Sequence, residues 1–290
     1  MAQYSIKEVE SLSGVKAHTL RIWEQRYAFL KPERTATNIR YYTDEQLRTL
    51  LNVATLNRHG MKISKIAGLK KEDLSKEVLK IFEETTVPDE LLDSLIRAML
   101  DFDEYRFEKT LATAIVKVGF QETFTQVIFP FMGRTGVLWA TGSVRIVQEH
   151  FISNLIRRKI CAAIDAVYVQ PSSATKKFIL FLPEGETHEL LLLFTEYLLR
   201  KNNHLVTYLG CSLPFNELDF VAKALKPDYM VTYQTISAGE ISFREYLKKL
   251  SHDFPACKII VGGAQLNKKI KLPPNCIFVH GADELVSVIG

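Results

Sequence analysis

The sequence predicts an α + α/β chain of three parts in series: a winged helix-turn-helix head, a four-helix bundle and a doubly wound parallel sheet. Three observations carry this prediction. Residues 1–66 hold eleven Lys/Arg against six Asp/Glu, whereas the whole chain of 290 residues has a net charge of only +4. Residues 89–169 repeat apolar side chains at three- and four-residue steps, as in Leu91, Leu92 and Leu95, or Phe107 and Leu111. From residue 177 onward, short apolar strands alternate with helical stretches, the pattern of a parallel sheet with right-handed crossovers.

Composition sets outer limits. An apolar fraction of 47% and a charged fraction of 24% are those of an ordinary globular chain. There is no apolar run long enough to span a membrane and no signal-peptide core near Met1, so the expectation is a cytoplasmic protein without a membrane partner. Cys161, Cys211, Cys257 and Cys276 form no CxxC or CxxH pair, which argues against a zinc site or a disulfide framework. A basic head on a near-neutral body implies a polyanionic partner for the head.

In the head, Ile6, Val9 and Leu12 fall at helical spacing, and Gly14 ends the helix. A second helix covers Ala17–Tyr27, with Leu20 and Trp23 inward and Thr19, Arg21 and Arg26 outward. Two short helices joined by a Gly-containing turn read as a helix-turn-helix whose second helix enters the major groove. Pro32–Tyr42 is β-leaning and reads as a wing hairpin that places Arg34, Arg40 and Tyr41 near phosphates. Thr43 caps a further helix running to about Arg58, and Met61–Leu69 forms a shorter one. The charged stretch from Lys70 to Pro88 reads as a junction.

Leu20–Tyr27, then Pro32 and Arg34, then Arg40, Tyr41 and Tyr42, resemble the head of MerR-family transcription regulators. The Trp-Glu-x-Arg-Tyr form is similar to the branch that carries cobalamin-binding domains. The resemblance implies double-stranded operator DNA as partner, with His18, Thr19, Arg21, Arg26, Tyr27, Arg34, Arg40 and Tyr41 as contacts. Asn38-Ile39 departs from the usual Gly-Tyr before the wing arginine, and Asn tolerates the left-handed turn required there.

In the bundle, the segment Gly133–His150 stands apart, with a Gly-flanked Trp followed by an acid and a base at a helix start. A buried Trp and an ordinary capped helix explain it as well. The segment nevertheless resembles the Trp-x(9)-Glu-His signature of cobalamin-dependent photoreceptor regulators of the CarH and LitR type. By that resemblance Trp139, Glu149 and His150 cover the upper face of the corrin and meet its adenosyl group.

The last third has strands at Phe178–Leu182, Leu205–Leu209, Tyr229–Tyr233, Lys258–Val261 and Ile277–Val279. Helices at Glu189–Lys201, Phe215–Leu225 and Ser242–Asp253 separate them, and another follows Asp283. His188 lies in the loop after the first strand, where open α/β sheets place ligands, and Glu186 stands two residues before it as a partner for one ring nitrogen. Gly262-Gly263 permits either close approach of a ligand or a tight turn. This third resembles the flavodoxin-like cobalamin-binding domain of corrinoid mutases and methionine synthases, with its Asp-x-His-x-x-Gly, Ser-x-Leu and Gly-Gly pattern. The resemblance makes His188 the axial ligand to cobalt and adds Glu186, Tyr233, Gly262 and Gly263 to the cofactor site. Three positions depart from it: Glu186 stands for Asp, Leu191 for Gly, and Tyr233 for Ser, where it would plug the channel for the nucleotide tail.

These readings divide the chain into residues 1–75, 88–170 and 177–290. They lead to a DNA-binding regulator, a homo-oligomer (dimer or tetramer), that represses and senses adenosylcobalamin and, by family resemblance, light. The alternative is a MerR-type regulator whose cobalamin pocket is lost, its body serving oligomerisation or another ligand. An enzyme is disfavoured, since no catalytic acid–base pair or substrate barrel accompanies the head.

Overall fold

The computed structural model describes residues 3–13, 15–27, 29–34, 40–83, 89–140, 142, 144–235, 242–263, 271–280 and 282–289. Gly14, the wing tip at Asn38-Ile39 and the end of the expected junction at 84–88 lie outside them. The chain divides into two compact units, Met1–Leu155 and Ile156–Gly290.

The first unit opens with β1 (Gln3–Tyr4), α1 (Ile6–Ser13) and α2 (Ala17–Arg26), then the wing strands β2 (Glu33–Arg34) and β3 (Arg40–Thr43). Strand β3 pairs antiparallel with β2 on one side and β1 on the other; the two-residue β1 is too short to leave a sequence pattern. Helix α3 (Asp44–Arg58) starts at a capping box in which Thr43 and Gln46 satisfy each other's backbone N–H groups. The short α4 (Ile63–Ile66) follows. Val9, Leu20, Trp23, Tyr42, Leu47 and Leu50 form the core beneath these elements.

The stretch expected as a junction is instead largely a helix, α5 (Lys71–Glu83), which runs through residue 75. Charged residues on its outer side disguise it, while Leu74 and Val78, one helical turn apart, join the core of the head.

Next come α6 (Asp89–Leu100), α7 (Glu104–Val118), α8 (Phe120–Thr123), α9 (Phe129–Ala140) and α10 (Ile146–Asp165). Asp103 caps α7 by accepting the Arg106 N–H at 2.9 Å. A π-helical turn, Phe124–Ile128, fuses α8 and α9 into one rod, so four helical rods cover the length expected for four helices. The Phe129 N–H reaches back to the Phe124 carbonyl, and the widening falls just ahead of Pro130, which has no N–H to offer an α-turn. Phe107, Phe124, Phe131 and Ile152 are fully buried in this region. Val137, near the end of α9, belongs to the same buried cluster as the core of the head.

The second unit contains β4 (Lys177–Pro183), α11 (Leu190–Lys201), β5 (Leu205–Leu213), α12 (Glu217–Leu225) and β6 (Tyr229–Tyr233). After these follow α13 (Phe243–Asp253), β7 (Lys258–Gly262), β8 (Cys276–Phe278) and α14 (Ala282–Ile289). The five strands are parallel in the order β5-β4-β6-β7-β8, a doubly wound sheet that reverses direction beside β4. Residues alternate across it. Ile179, Phe181, Met230, Ile259 and Val261 meet Leu218 of α12 and Phe243, Leu247 and Leu250 of α13 on one face. On the other face, α11 is buried throughout Leu192–Leu199, including Thr195 and Glu196. Most expected strand and helix bounds agree with these within about two residues, and β5 runs four residues further, to Leu213.

Candidate functional site

The head presents α2 as its candidate DNA-reading element. The N-cap residue of α2, Lys16, has no side-chain acceptor; Glu10 of α1 supplies one, accepting the Ala17 N–H at 3.0 Å and Lys16 Nζ at 2.9 Å. Although its partial burial opposes ionisation, these bonds and the Lys16 charge hold the Glu10 carboxyl below its usual range. Leu20 and Trp23 face the core, while His18, Arg21 and Arg26 are exposed and Thr19 is half-buried beside His18. Exposed Ile22 lies on the same helix, an apolar side chain that a search for charged contacts passes over.

Glu24 also escaped the sequence reading. It accepts a hydrogen bond from the buried Tyr42 hydroxyl and pairs with Arg40 Nε at 3.3 Å, tying the wing to α2. Burial, and then this bond to Glu24, push the Tyr42 hydroxyl well above its ordinary pKa. The signal was present: one acid placed inside a basic recognition helix. Arg40 therefore spends its Nε inward, and Tyr41 donates to Glu33 at 2.6 Å across the hairpin. Tyr27, expected as a DNA contact, is half-buried and stacks on Phe29 at 6.0 Å. Arg34 is exposed on β2.

Trp139, Glu149 and His150 belong to the first unit. Trp139 is partly buried against the core cluster of the head. Glu149 and His150 stand in the first turns of α10, joined to each other by a 2.8 Å contact, with the imidazole largely exposed.

In the second unit, Glu186, His188, Tyr233, Gly262 and Gly263 gather at the carboxyl ends of β4, β6 and β7. Glu186 is completely buried and accepts four N–H groups. Its Oε1 takes the Thr187 and His188 backbones at 2.9 Å each and His188 Nδ1 at 2.6 Å, while its Oε2 takes the Thr235 backbone at 2.6 Å. An ionised carboxylate only accepts, so Nδ1 carries the proton and a neutral ring has its lone pair on Nε2. The His188 side chain is 52% exposed.

The next residue, Glu189, receives Arg157 Nε, Tyr208 Oη at 2.8 Å and Cys211 Sγ at 3.5 Å. Burial works against its ionisation, but the Tyr208 and Arg157 bonds and the Arg157 charge hold it below the usual carboxylate range. Burial, then the charge and hydrogen bond of Glu189, push the Cys211 thiol up to about 11. This network braces the loop that bears His188, and no sequence spacing marks it, because its members come from α10, the loop and β5.

Among the described residues no three His, Cys, Asp or Glu side chains converge to hold a bare metal ion. A metal held here through His188 would have to arrive inside a prefabricated group that needs only one protein ligand, as a corrinoid does. The residues fit such a group at the axial position. They do not fit its nucleotide tail within the fold. Tyr233 is buried, shares a 2.9 Å hydrogen bond with Thr195 of α11, and packs against Gly262.

A basic winged head and a Rossmann-like sheet bearing a carboxylate-held histidine define a DNA-binding regulator with a ligand domain. Residues 4–73 match the model described as MerR HTH family regulatory protein, and residues 91–163 the model described as B12 binding domain. The HTH-type transcriptional repressor CarH of Myxococcus xanthus is 28% identical over 268 residues, covering 90% of this chain and 89% of the relative. The HTH-type transcriptional repressor CarA of the same organism is 24% identical over 288 residues, covering 98% and 95%. The Methanosarcina barkeri monomethylamine corrinoid protein superposes with a TM-score of 0.55 at 16% identity, over 69% of this chain and 97% of that one, a likeness of fold. By these matches the chain is a DNA-binding regulator with a MerR-type head and a B12-binding domain, and the relatives that it matches over nearly its whole length are transcriptional repressors rather than enzymes. Among the described residues no helix is long and apolar enough to cross a membrane.

Proposed function

We propose that the chain is a one-component repressor that reads adenosylcobalamin in its carboxyl-terminal domain and alters its hold on an operator as a homo-oligomer. The observation that carries this reading is the orientation of His188, fixed by buried Glu186, on a chain that begins with a winged head. Bound adenosylcobalamin would supply a cobalt centre and a cobalt–carbon bond that light can break. His188 would hold the cobalt through Nε2, Glu186 would keep the imidazole in its Nδ1–H tautomer, and Thr235 would keep Glu186 in place. Trp139, Glu149 and His150, in the helical region that matches a B12-binding model, would be further contacts for the cofactor. In a dimer or tetramer each head would meet one half-site, so assembly would set operator occupancy by avidity.

A second reading, a regulator whose body takes no corrinoid, is favoured by one observation: Tyr233 spans the layer between β6 and α11. Titration of the full chain with adenosylcobalamin in the dark separates the two. The first reading expects a bound-cobalamin spectrum that His188→Ala changes, and an oligomer size that differs before and after green light. A chain that stays colourless rejects it.

A further inference from the structure

We infer that this domain takes a corrinoid by its ring and leaves the nucleotide tail outside, with Tyr233 as the residue that excludes the tail. The inference rests on the corrinoid reading above and specifies which chemical form the site accepts.

For an imidazole to bind the cobalt of cobalamin from below, the benzimidazole of the tail must first leave the metal. That flat, two-ring base then needs somewhere to lie. The interior beside the His188 loop is the layer between α11 and the carboxyl ends of β6 and β7, and Tyr233 reaches across it from β6. The Tyr233 hydroxyl reaches Thr195 of α11 at 2.9 Å, and both residues are buried. Its ring lies so close to Gly262 that a Cβ there would stand 3.0 Å from Tyr233 Cδ1 and 2.9 Å from the Val279 carbonyl. A Cβ on Gly263 would come within 2.2 Å of the Gln234 carbonyl. The two glycines thus accommodate the chain's own packing, and the space beside Gly262 that a flat base would need is taken by the Tyr233 ring.

Shifting the end of β6 to open the layer is resisted by the same residues that orient the metal ligand. Two residues after Tyr233, the Thr235 N–H is held at 2.6 Å by Glu186 Oε2, while Glu186 Oε1 holds His188. Moving this strand end outward would loosen the carboxylate that fixes the imidazole. The axial site and the closed layer are one construction, compatible with a corrinoid that has no tail to stow or that keeps its tail in solvent.

The test uses the full-length protein, titrated in the dark with adenosylcobinamide, which lacks the nucleotide tail, and with adenosylcobalamin, each followed by absorbance. Cobinamide is expected to bind at least as tightly as cobalamin. Tyr233→Ser is expected to move the ratio of the two affinities at least tenfold toward cobalamin. Electron paramagnetic resonance of the cobalt(II) cobinamide complex is expected to show one coordinating nitrogen whose splitting changes when the protein carries 15N-histidine. Wild-type protein that binds cobalamin more than threefold tighter than cobinamide overturns the inference while leaving the regulator reading intact. Cobalamin uptake by Tyr233→Ser alone, with cobinamide refused by both proteins, overturns it too. Refusal of both ligands by both proteins overturns the corrinoid reading and this inference together.

Discussion

Glu186 directs both carboxylate oxygens at N–H donors in a site closed to water, which makes its charge hard to replace. In Glu186→Gln, either orientation of the amide turns its NH₂ toward a donor. The expected loss is roughly 2 kcal/mol in urea unfolding, together with a loosened His188; unchanged unfolding would mean that these bonds contribute nothing net. Glu189 makes a pH prediction. Its folded pKa is depressed, so its contribution is present above the ordinary carboxylate range and disappears as pH falls through the lower folded value. Acid unfolding of Glu189→Gln is expected to be less steep over that window than that of the wild type. At this scale the sequence was partly legible. His188 and Glu186 could be paired from a two-residue spacing, but Arg157, Tyr208 and Cys211 meet Glu189 only through the fold.

Single elements carry their own expectations. Helix α12 ends at Lys226 with φ 47°, a left-handed conformation that costs a side-chain-bearing residue about 1 kcal/mol relative to glycine. Lys226→Gly is therefore expected to stabilise the chain by about 0.5–1 kcal/mol in thermal unfolding; a loss of stability would show that the lysine stem packs usefully. In the wing, Tyr42→Phe removes the hydroxyl that Glu24 accepts and is expected to cost about 1 kcal/mol and to weaken operator binding through a loosened hairpin. The βα alternation was readable, most bounds to within about two residues, because strands buried on both faces, such as Phe178–Leu182, leave continuous apolar runs. Helix α5 was not readable: among the described side chains its buried ones are Leu74 and Val78, set among charges.

For the whole molecule, the uneven charge is the most informative sequence property, since residues 1–66 carry the excess of Lys and Arg. Operator affinity is expected to fall steeply with salt, and Arg21→Ala and Arg26→Ala each to reduce the slope of log K against log salt by about 1. An unchanged slope would remove those side chains from the phosphate interface. Three parts were legible in order from charge, helical period and strand alternation. The shared core was not, because Val137 lies in α9, more than fifty residues beyond α5, and nothing local shows that it packs with Leu74 and Val78.

The wide turn at Phe124–Ile128 has a rotational meaning as well. Each residue of an α-helix advances the azimuth by about 100°, so a turn holding one residue more than usual acts as a phase setting for everything beyond it. Val137 and Trp139 face the core of the head at the angle this turn dictates. A one-residue deletion there would leave composition and helicity almost untouched, yet it would rotate both side chains about a quarter of a revolution off their seat.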